Sequence, residues 1–278
     1  MQTQLKTVIL AVTTLYASIL GPLVASAEEA KILETPAGIR FSWLGEKSRR
    51  PAPTLFVFAK DKESSLEREA FAKMAWLLVE RGFIAVALDL PSHGEDQKAD
   101  EPERLAGWAA RVEKGDTLVP AFMDRTSQVL DFLVKSGYTN VKQVAACGIS
   151  RGGFMALHFA AADPRVRWVV ALAPVTDLGI LTEFSKIKDE TAVRALSVMN
   201  IADKLTGRGV WIYIGNDDAR VGTEAAIAFA RLVTRKAVAT KQRANVKLTV
   251  DASEGHGVGL SPHFEGADWI ESQLRENP

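Results

Sequence analysis

The sequence has very little cysteine and histidine. Cys147 is the only cysteine among 278 residues, so no disulfide can form within the chain and the fold must be stabilised by its core. Only four histidines are present. They are scattered along the chain without the spacing of a metal site, and we expect no metal and no cofactor.

An excess of charge of one sign is also absent. Lys and Arg total 34, and Asp and Glu total 34. The overall charge therefore gives no reason to expect nucleic acid or an anionic membrane surface as a partner. The composition, 47% hydrophobic and 24% charged, is typical of a globular domain.

An apolar stretch lies near the start of the chain. Residues 7–24 follow a short segment with one positive charge and precede Ala25-Ser26-Ala27, which is the order of a secretory signal peptide and its cleavage site. An uncleaved membrane anchor is the alternative, but Gly21-Pro22 favours cleavage after Ala27. We expect residues 1–27 to be removed, residues 28–278 to form one α/β domain, and the product to be secreted or periplasmic without stable membrane association.

Strand-like and helix-like segments alternate from Thr54 onward. Apolar runs typical of buried strands are separated by segments with helical spacing. This alternation predicts a mostly parallel, doubly wound sheet with helices on both faces. Residues 30–46 should add two short strands, and residues 181–207, which lack a strand pattern, should form a small insertion over the sheet. The predicted strands are 54–59, 83–90, 141–147, 166–174, 210–215 and 246–250.

Three further local patterns concern the starts of two helices and one charged segment. Ser64 and Glu67 have the spacing of a capping box at the start of a helix. Thr223 is a candidate cap for a later helix. Residues 97–115 are charged and are expected to be irregular, with Trp108 and Val112 as anchors.

The segment 141–153 combines a strand, a sharp turn and a helix. The strand run ends in Gly148-Ile149-Ser150-Arg151-Gly152, and a helical pattern follows. A G-x-S-x-G turn between a strand and a helix is the nucleophile elbow, which projects the serine from the end of the sheet. We therefore predict that Ser150 is a nucleophile.

A serine nucleophile needs a histidine base, and with a nucleophile elbow the chain order is serine, acid, histidine. His93 precedes the serine, and His158 lies about two turns into the elbow helix and so points away. His256 and His263 remain. His256 lies in a glycine-flanked loop after the last strand, where ligands bind in open α/β sheets, and is favoured over His263 at the start of a helix.

The acid that orients the base should follow the preceding strand. Asp217 and Asp218 both lie there, and we favour Asp218 because Val221, three residues later, can return to the sheet. Asp217 then caps the turn or faces solvent. Asp177, after an earlier strand, is a third candidate.

The tetrahedral intermediate needs two backbone N–H donors. One is predicted to be Arg151, directly after the nucleophile. The other should come from the loop after the first parallel strand, from Lys60 or Asp61.

Five short segments of the chain, which are given at the end of this paragraph and include the elbow around Ser150 and the loop around His256, together resemble an α/β-hydrolase of the dienelactone hydrolase and prolyl-oligopeptidase-like branch. The resemblance implies a secreted serine hydrolase, most simply a carboxylesterase acting on a small ester. A small peptidase or amidase is one alternative. A non-catalytic binding protein is another, which loss of a triad residue would favour, and none is lost. The segments that carry the resemblance are 89–94, 148–153, 173–177, 215–221 and 255–257.

If the leader is cleaved where its small residues indicate, the exported protein begins at Glu28. Intact mass spectrometry of the exported protein measures this directly. A product that retains Met1, or that stays in the membrane fraction, would contradict the predicted cleavage.

Overall fold

The computed structural model of the protein describes residues 29–276. The predicted leader, residues 1–27, lies outside that range. The strands are β1 (Lys31–Glu34), β2 (Arg40–Leu44), β3 (Ala52–Phe58), β4 (Ile84–Ala87), β5 (Thr139–Ile149), β6 (Val166–Leu172), β7 (Gly209–Asp217) and β8 (Val246–Glu254). The helices are α1 (Lys62–Glu67), α2 (Glu69–Val79), α3 (Arg104–Glu113), α4 (Val119–Lys135), α5 (Arg151–Ala162), α6 (Thr191–Ala195), α7 (Thr223–Ala239) and α8 (Ser261–Glu276).

The strands form one sheet in the order β1-β2-β4-β3-β5-β6-β7-β8. The pairs β1–β2 and β2–β4 are antiparallel, and every later pair is parallel. The predicted mostly parallel sheet is confirmed. Because parallel strands end at one edge, the loops after β3, β5, β7 and β8 all lie at the same side of the sheet.

Both faces of the sheet are covered, as predicted for a doubly wound fold. Along β3 the side chains alternate: Phe56 and Phe58 face one apolar cluster, whereas Leu55 and Val57 face the other. This is the period of two expected of a strand. The first cluster includes side chains of α4, α5 and α7, and the second includes side chains of α2 and α8.

The predicted capping box at Ser64 and Glu67 is wrong. The N-cap of α1 is Asp61, whose carboxylate accepts hydrogen bonds from the backbone N–H and the hydroxyl of Ser64, both at 2.7 Å. An aspartate at this position satisfies the free N–H groups of the first turn. Ser64 therefore lies inside the helix that it was expected to begin.

Two other local predictions also differ from the structure. The segment 97–115, expected to be irregular, contains the ten-residue helix α3, which buries Trp108 and Val112. Thr223 is the first residue of α7 rather than its cap. Its hydroxyl accepts from the N–H of Asp218 and donates to the carbonyl of Gly215, so it fastens the loop before the helix.

The insertion, residues 181–207, consists of α6 and short 3-10 turns. Its side chains Phe184, Val193, Val198 and Leu205 are buried in the first cluster, and the turn 198–205 packs on α5 and α7. The insertion is therefore part of the core on that face. Within residues 29–276, no helix is long and apolar enough to cross a membrane.

Three of the four histidines are buried. His158 donates from Nε2 to the carbonyl of Leu196 at 3.1 Å. Neither ring nitrogen of His263 has a hydrogen-bond partner among residues 29–276. Burial lowers the pKa of His93, His158 and His263 from 6.5 to about 4 in each case. All three are therefore neutral in the folded protein near neutral pH.

These histidines predict that stability falls on mild acidification. In the unfolded chain each histidine binds a proton below about pH 6.5, whereas in the folded chain it does so only near pH 4, so stability is lost as pH falls through this window. We expect a loss of about 1 kcal/mol per histidine between pH 7.5 and 5.5, measured by urea unfolding. His158→Gln, which preserves a donor for Leu196, should remove about a third of the loss. Equal stability at the two pH values would contradict the assignment.

Candidate active site

Ser150 occupies a strained backbone position between β5 and α5. Its φ and ψ are 56° and −116°, a conformation that costs free energy in a non-glycine residue and persists only where neighbours enforce it. Here its N–H donates to the carbonyl of Leu172 at 2.9 Å, and its carbonyl accepts from Phe154 and Val175 at 3.1 Å. Strand β6, helix α5 and the following loop thus hold the turn.

Glycines are required around this turn because backbone approaches backbone. A Cβ on Gly148 would lie 2.3 Å from the carbonyl of Gly152, and a Cβ on Gly152 would lie 1.7 Å from the carbonyl oxygen of Phe58. The G-x-S-x-G pattern therefore reflects a three-way contact between the end of β3, the end of β5 and the start of α5. The structure places Ser150 at this junction of strand, turn and helix.

Asp218 lies just beyond β7, with 2% of its surface exposed. Its Oδ1 accepts from the N–H groups of Arg220 and Val221 at 3.0 and 3.2 Å. Its own N–H donates to Thr223 at 3.0 Å. The carboxylate is thus fixed from both sides, with Oδ2 left to face the next loop.

His256 connects this carboxylate to the serine. Its Nδ1 donates to Asp218 Oδ2 at 2.8 Å, and its Nε2 lies 2.9 Å from Ser150 Oγ, which donates to it. The loop is positioned by the N–H of Gly255, which donates to the carbonyl of Asp217 at 3.0 Å. The structure therefore brings Ser150, His256 and Asp218 into one chain of hydrogen bonds.

The other candidates lie elsewhere. Asp217 is exposed beside Asp218, and Asp177 caps a short 3-10 turn through the N–H of Gly179. His263 is enclosed at the start of α8, and His158 bonds to the insertion. Of the alternatives weighed from the sequence, none is hydrogen-bonded to Ser150 within the described chain.

The two candidate oxyanion donors differ in their surroundings. Arg151 is the first residue of α5, so its N–H belongs to the first turn, where N–H groups have no partner within the helix. The N–H of Lys60 donates to the hydroxyl of Ser65 at 3.4 Å, close to the outer limit of a hydrogen bond. Asp61, the alternative donor, is the N-cap of α1.

His93 is a site residue that the sequence did not identify. Its Nδ1 donates to the carbonyl of Pro91, and its Nε2 accepts from the guanidinium of Arg151 at 2.9 Å. The pKa of about 4, caused first by burial, leaves Nε2 free to accept that bond. Its position before the serine excluded it as a base. Its contact with Arg151 forms only when the two loops meet in the folded chain, so no pattern in the sequence indicates it.

No group of three or more His, Cys, Asp or Glu side chains within residues 29–276 is arranged to hold a metal ion. Cys147 lies beneath the elbow, and complete burial raises its pKa to about 12. A thiol in that state is inert as a nucleophile.

The model of the prolyl oligopeptidase family matches residues 70–275, which is more than half of the chain. The chain belongs to the prolyl oligopeptidase family. A search of curated proteins found no match.

Solved structures share the fold at low identity. Acetyl xylan esterase 1 from a Thermoanaerobacterium species is 18% identical with a TM-score of 0.64, and the match covers 88% of this chain and 84% of that one. A putative dipeptidyl aminopeptidase IV from Bacteroides ovatus is 15% identical with a TM-score of 0.64, covering 88% and 35%. Pyrococcus horikoshii acylaminoacyl peptidase is 11% identical with a TM-score of 0.67, covering 90% and 42%.

The chain thus spans less than half of either peptidase, and these likenesses establish the fold alone. The family match and these likenesses agree on the α/β-hydrolase fold.

The close approach at Gly152 predicts that this glycine is irreplaceable. Gly152→Ala would place a methyl group 1.7 Å from the carbonyl oxygen of Phe58, so β3 and α5 would have to separate. We expect a loss of at least about 3 kcal/mol in the free energy of unfolding, at the upper end of overpacking. Gly259→Ala, with nothing within 4 Å, is the matched control and should change stability little. Equal effects of the two changes in urea unfolding would contradict this contact.

Proposed function

We propose that the protein is a carboxylesterase that acts through Ser150, His256 and Asp218 and an acyl-enzyme intermediate. The observation that supports this most strongly is the pair of hydrogen bonds at His256, 2.9 Å to Ser150 Oγ and 2.8 Å to Asp218 Oδ2. An imidazole held between a hydroxyl and a buried carboxylate has the geometry of a general base with its orienting acid.

In the proposed reaction, Ser150 Oγ attacks the ester carbonyl carbon as its proton passes to His256 Nε2. Asp218 stabilises the resulting imidazolium through Nδ1–H. The carbonyl oxygen, now negative, receives hydrogen bonds from the N–H of Arg151 and from a second N–H of Lys60 or Asp61. The C–O bond then breaks, and His256 returns the proton to the departing alcohol.

Deacylation repeats the same steps with water. His256 takes a proton from a water molecule, whose oxygen attacks the acyl carbon, and the proton then returns to Ser150 as the acid is released.

We propose an ester rather than an amide because an alcohol leaves more readily than an amine, so ester cleavage demands less of the acid that protonates the leaving group. An acetyl xylan esterase is among the solved structures with this fold. The family itself includes peptidases by its name, so amide cleavage is the second candidate. Amide and ester cleavage would use the same triad, so only the choice of substrate distinguishes them.

The substrate class is tested with a matched pair, p-nitrophenyl acetate and p-nitroacetanilide. We expect wild-type protein to hydrolyse the ester and to show at least 100-fold lower kcat/KM for the anilide. Ser150→Ala should lower ester turnover by about 10³-fold or more, because the nucleophile is lost. Activity above a tenth of wild type in Ser150→Ala would refute the nucleophile. Comparable turnover of the anilide would favour the peptidase alternative.

The two neighbouring aspartates provide a test of the acid with a built-in control. Asp218→Asn should keep the fold but disturb the tautomer of His256, lowering kcat by up to about 10⁴-fold on the precedent of serine proteases. Asp217→Asn changes an exposed side chain and should alter kcat by less than a factor of about three, since surface changes have small effects. If Asp217→Asn proves the damaging change, or if neither matters, the assignment of Asp218 is overturned.

A further inference from the structure

A cleft of about 290 Å³ lies beside the elbow, between the loop that follows β3 and the loop that follows β4. Three of its lining side chains are cations, Lys60, Arg68 and Arg104, and we call it the cationic cleft. The carboxylates of Asp61 and Glu103 also line it. Since the chain as a whole has no net charge, this grouping is local.

The cations of the cleft are poorly neutralised by the protein. Among residues 29–276, no carboxylate lies within 4.0 Å of the charged groups of Lys60 or Arg68, and Arg104 has only Glu103 at 3.9 Å. That pair is 63% and 77% exposed, so it contributes little. Asp61 directs both of its oxygens to Ser64. The cleft therefore holds three cations against two carboxylates, and neither Lys60 nor Arg68 has a close ion pair within the described residues.

The cations also act on one another. Burial, followed by the charges of Arg104, Arg151 and Arg68, lowers the pKa of Lys60. Burial and then the charge of Arg104 lower the pKa of Arg151. Mutual repulsion of this kind destabilises the empty cleft and is relieved when an anion enters.

The cleft is joined to the reaction centre by one side chain. Arg151 follows Ser150 directly, and its guanidinium donates to His93 Nε2 at 2.9 Å, while His93 itself lines the cleft. Since His93 is neutral, it adds no charge there but fixes the direction of Arg151. The contact between Arg151 and His93 thus links the residue next to Ser150 to the lining of the cleft.

The backbone of Arg104 shows that its position is enforced. Its φ is 60°, a left-handed value that is uncommon for a long side chain, and its N–H donates to the carbonyl of Ser92 at 3.1 Å. It is also the first residue of α3, and the partial positive charge at the N-terminus of a helix disfavours a cation there. An anion in the cleft would offset the unfavourable position of this cation at the start of the helix.

From these contacts we propose that the cationic cleft binds an anionic oxyacid group, a carboxylate or a phosphoryl group, carried by the substrate apart from its scissile ester. This inference rests on the proposed hydrolase function and specifies its substrate class. Guanidinium groups match the two oxygens of either anion. The preferred substrates are therefore charged esters rather than neutral acyl chains.

The kinetic test compares esters that differ only in charge. The p-nitrophenyl monoesters of glutaric, adipic and pimelic acid carry a free carboxylate, and their methyl esters are the neutral controls. A terminal phosphonate replaces the carboxylate in a second series. Acetate esters of 4-hydroxyphenylacetate and of its methyl ester place the charge on the alcohol side. We expect about 10- to 100-fold higher kcat/KM for the charged member of at least one pair, as for hydrogen bonds to charged groups.

Variants connect any preference to the cleft. Arg104→Gln and Arg68→Gln should each lower the ratio of charged to neutral kcat/KM by about tenfold. Arg243→Gln, an exposed arginine that pairs with Glu276 at 3.4 Å, removes the same charge from a distant surface and should leave the ratio unchanged. A preference that survives both cleft variants, or that falls equally in Arg243→Gln, would overturn the proposal.

A binding measurement separates the cleft from the chemistry. Calorimetry with Ser150→Ala should detect binding of adipate or of the matching phosphonate, and Arg104→Gln in the same background should weaken it about tenfold. Neutral esters that are hydrolysed without any charged preference, together with no anion binding, would refute the cleft but not the esterase. Anion binding with no ester hydrolysed would refute the esterase instead.

Discussion

The site depends on one backbone contact, the approach of the Phe58 carbonyl to Gly152. It leaves no space for a side chain at the start of α5, and it fixes the end of β3 against the elbow. The loop that begins two residues later, at Lys60, is thereby held beside Ser150. The strained backbone of Ser150 persists for the same reason, because the surrounding strands and helix determine it from several sides.

A buried ion pair extends this constraint to the next loop. Lys62 and Asp89 are both buried, and Asp89 accepts bonds from the N–H and the ammonium group of Lys62 at 2.7 and 3.0 Å and from the N–H of Glu95 at 3.1 Å. Removing Lys62 would leave the buried Asp89 carboxylate without its counter-charge, at a cost of about 3–5 kcal/mol. The pair ties the loop after β3 to the loop after β4, and so shapes the cationic cleft. Arg111, bonded to Asp96 and Glu101, braces that second loop from α3.

The sheet and the elbow could be predicted from the sequence because both depend on local patterns. Apolar runs identified the strands, and the glycines around Ser150 are required by contacts at that turn. Chain order left His256 and His263 as candidate bases, and the glycine-flanked loop after the last strand favoured His256. The features that could not be predicted depend on contacts between residues far apart in the sequence or on competing local hydrogen bonds. Asp61 displaced Ser64 as the cap of α1, and His93 acquired its partner only when the loops met.

The central claim is that Ser150 is activated by its neighbours, and covalent labelling tests it most directly. A fluorophosphonate reacts with a serine whose proton is taken by an adjacent base and whose oxyanion is stabilised. Intact mass spectrometry should show one adduct per chain on wild-type protein, and peptide mapping should place it on Ser150. The Ser150→Ala protein should remain unmodified under the same conditions. A wild-type chain that stays unlabelled, or an adduct on a residue other than Ser150, would contradict the account.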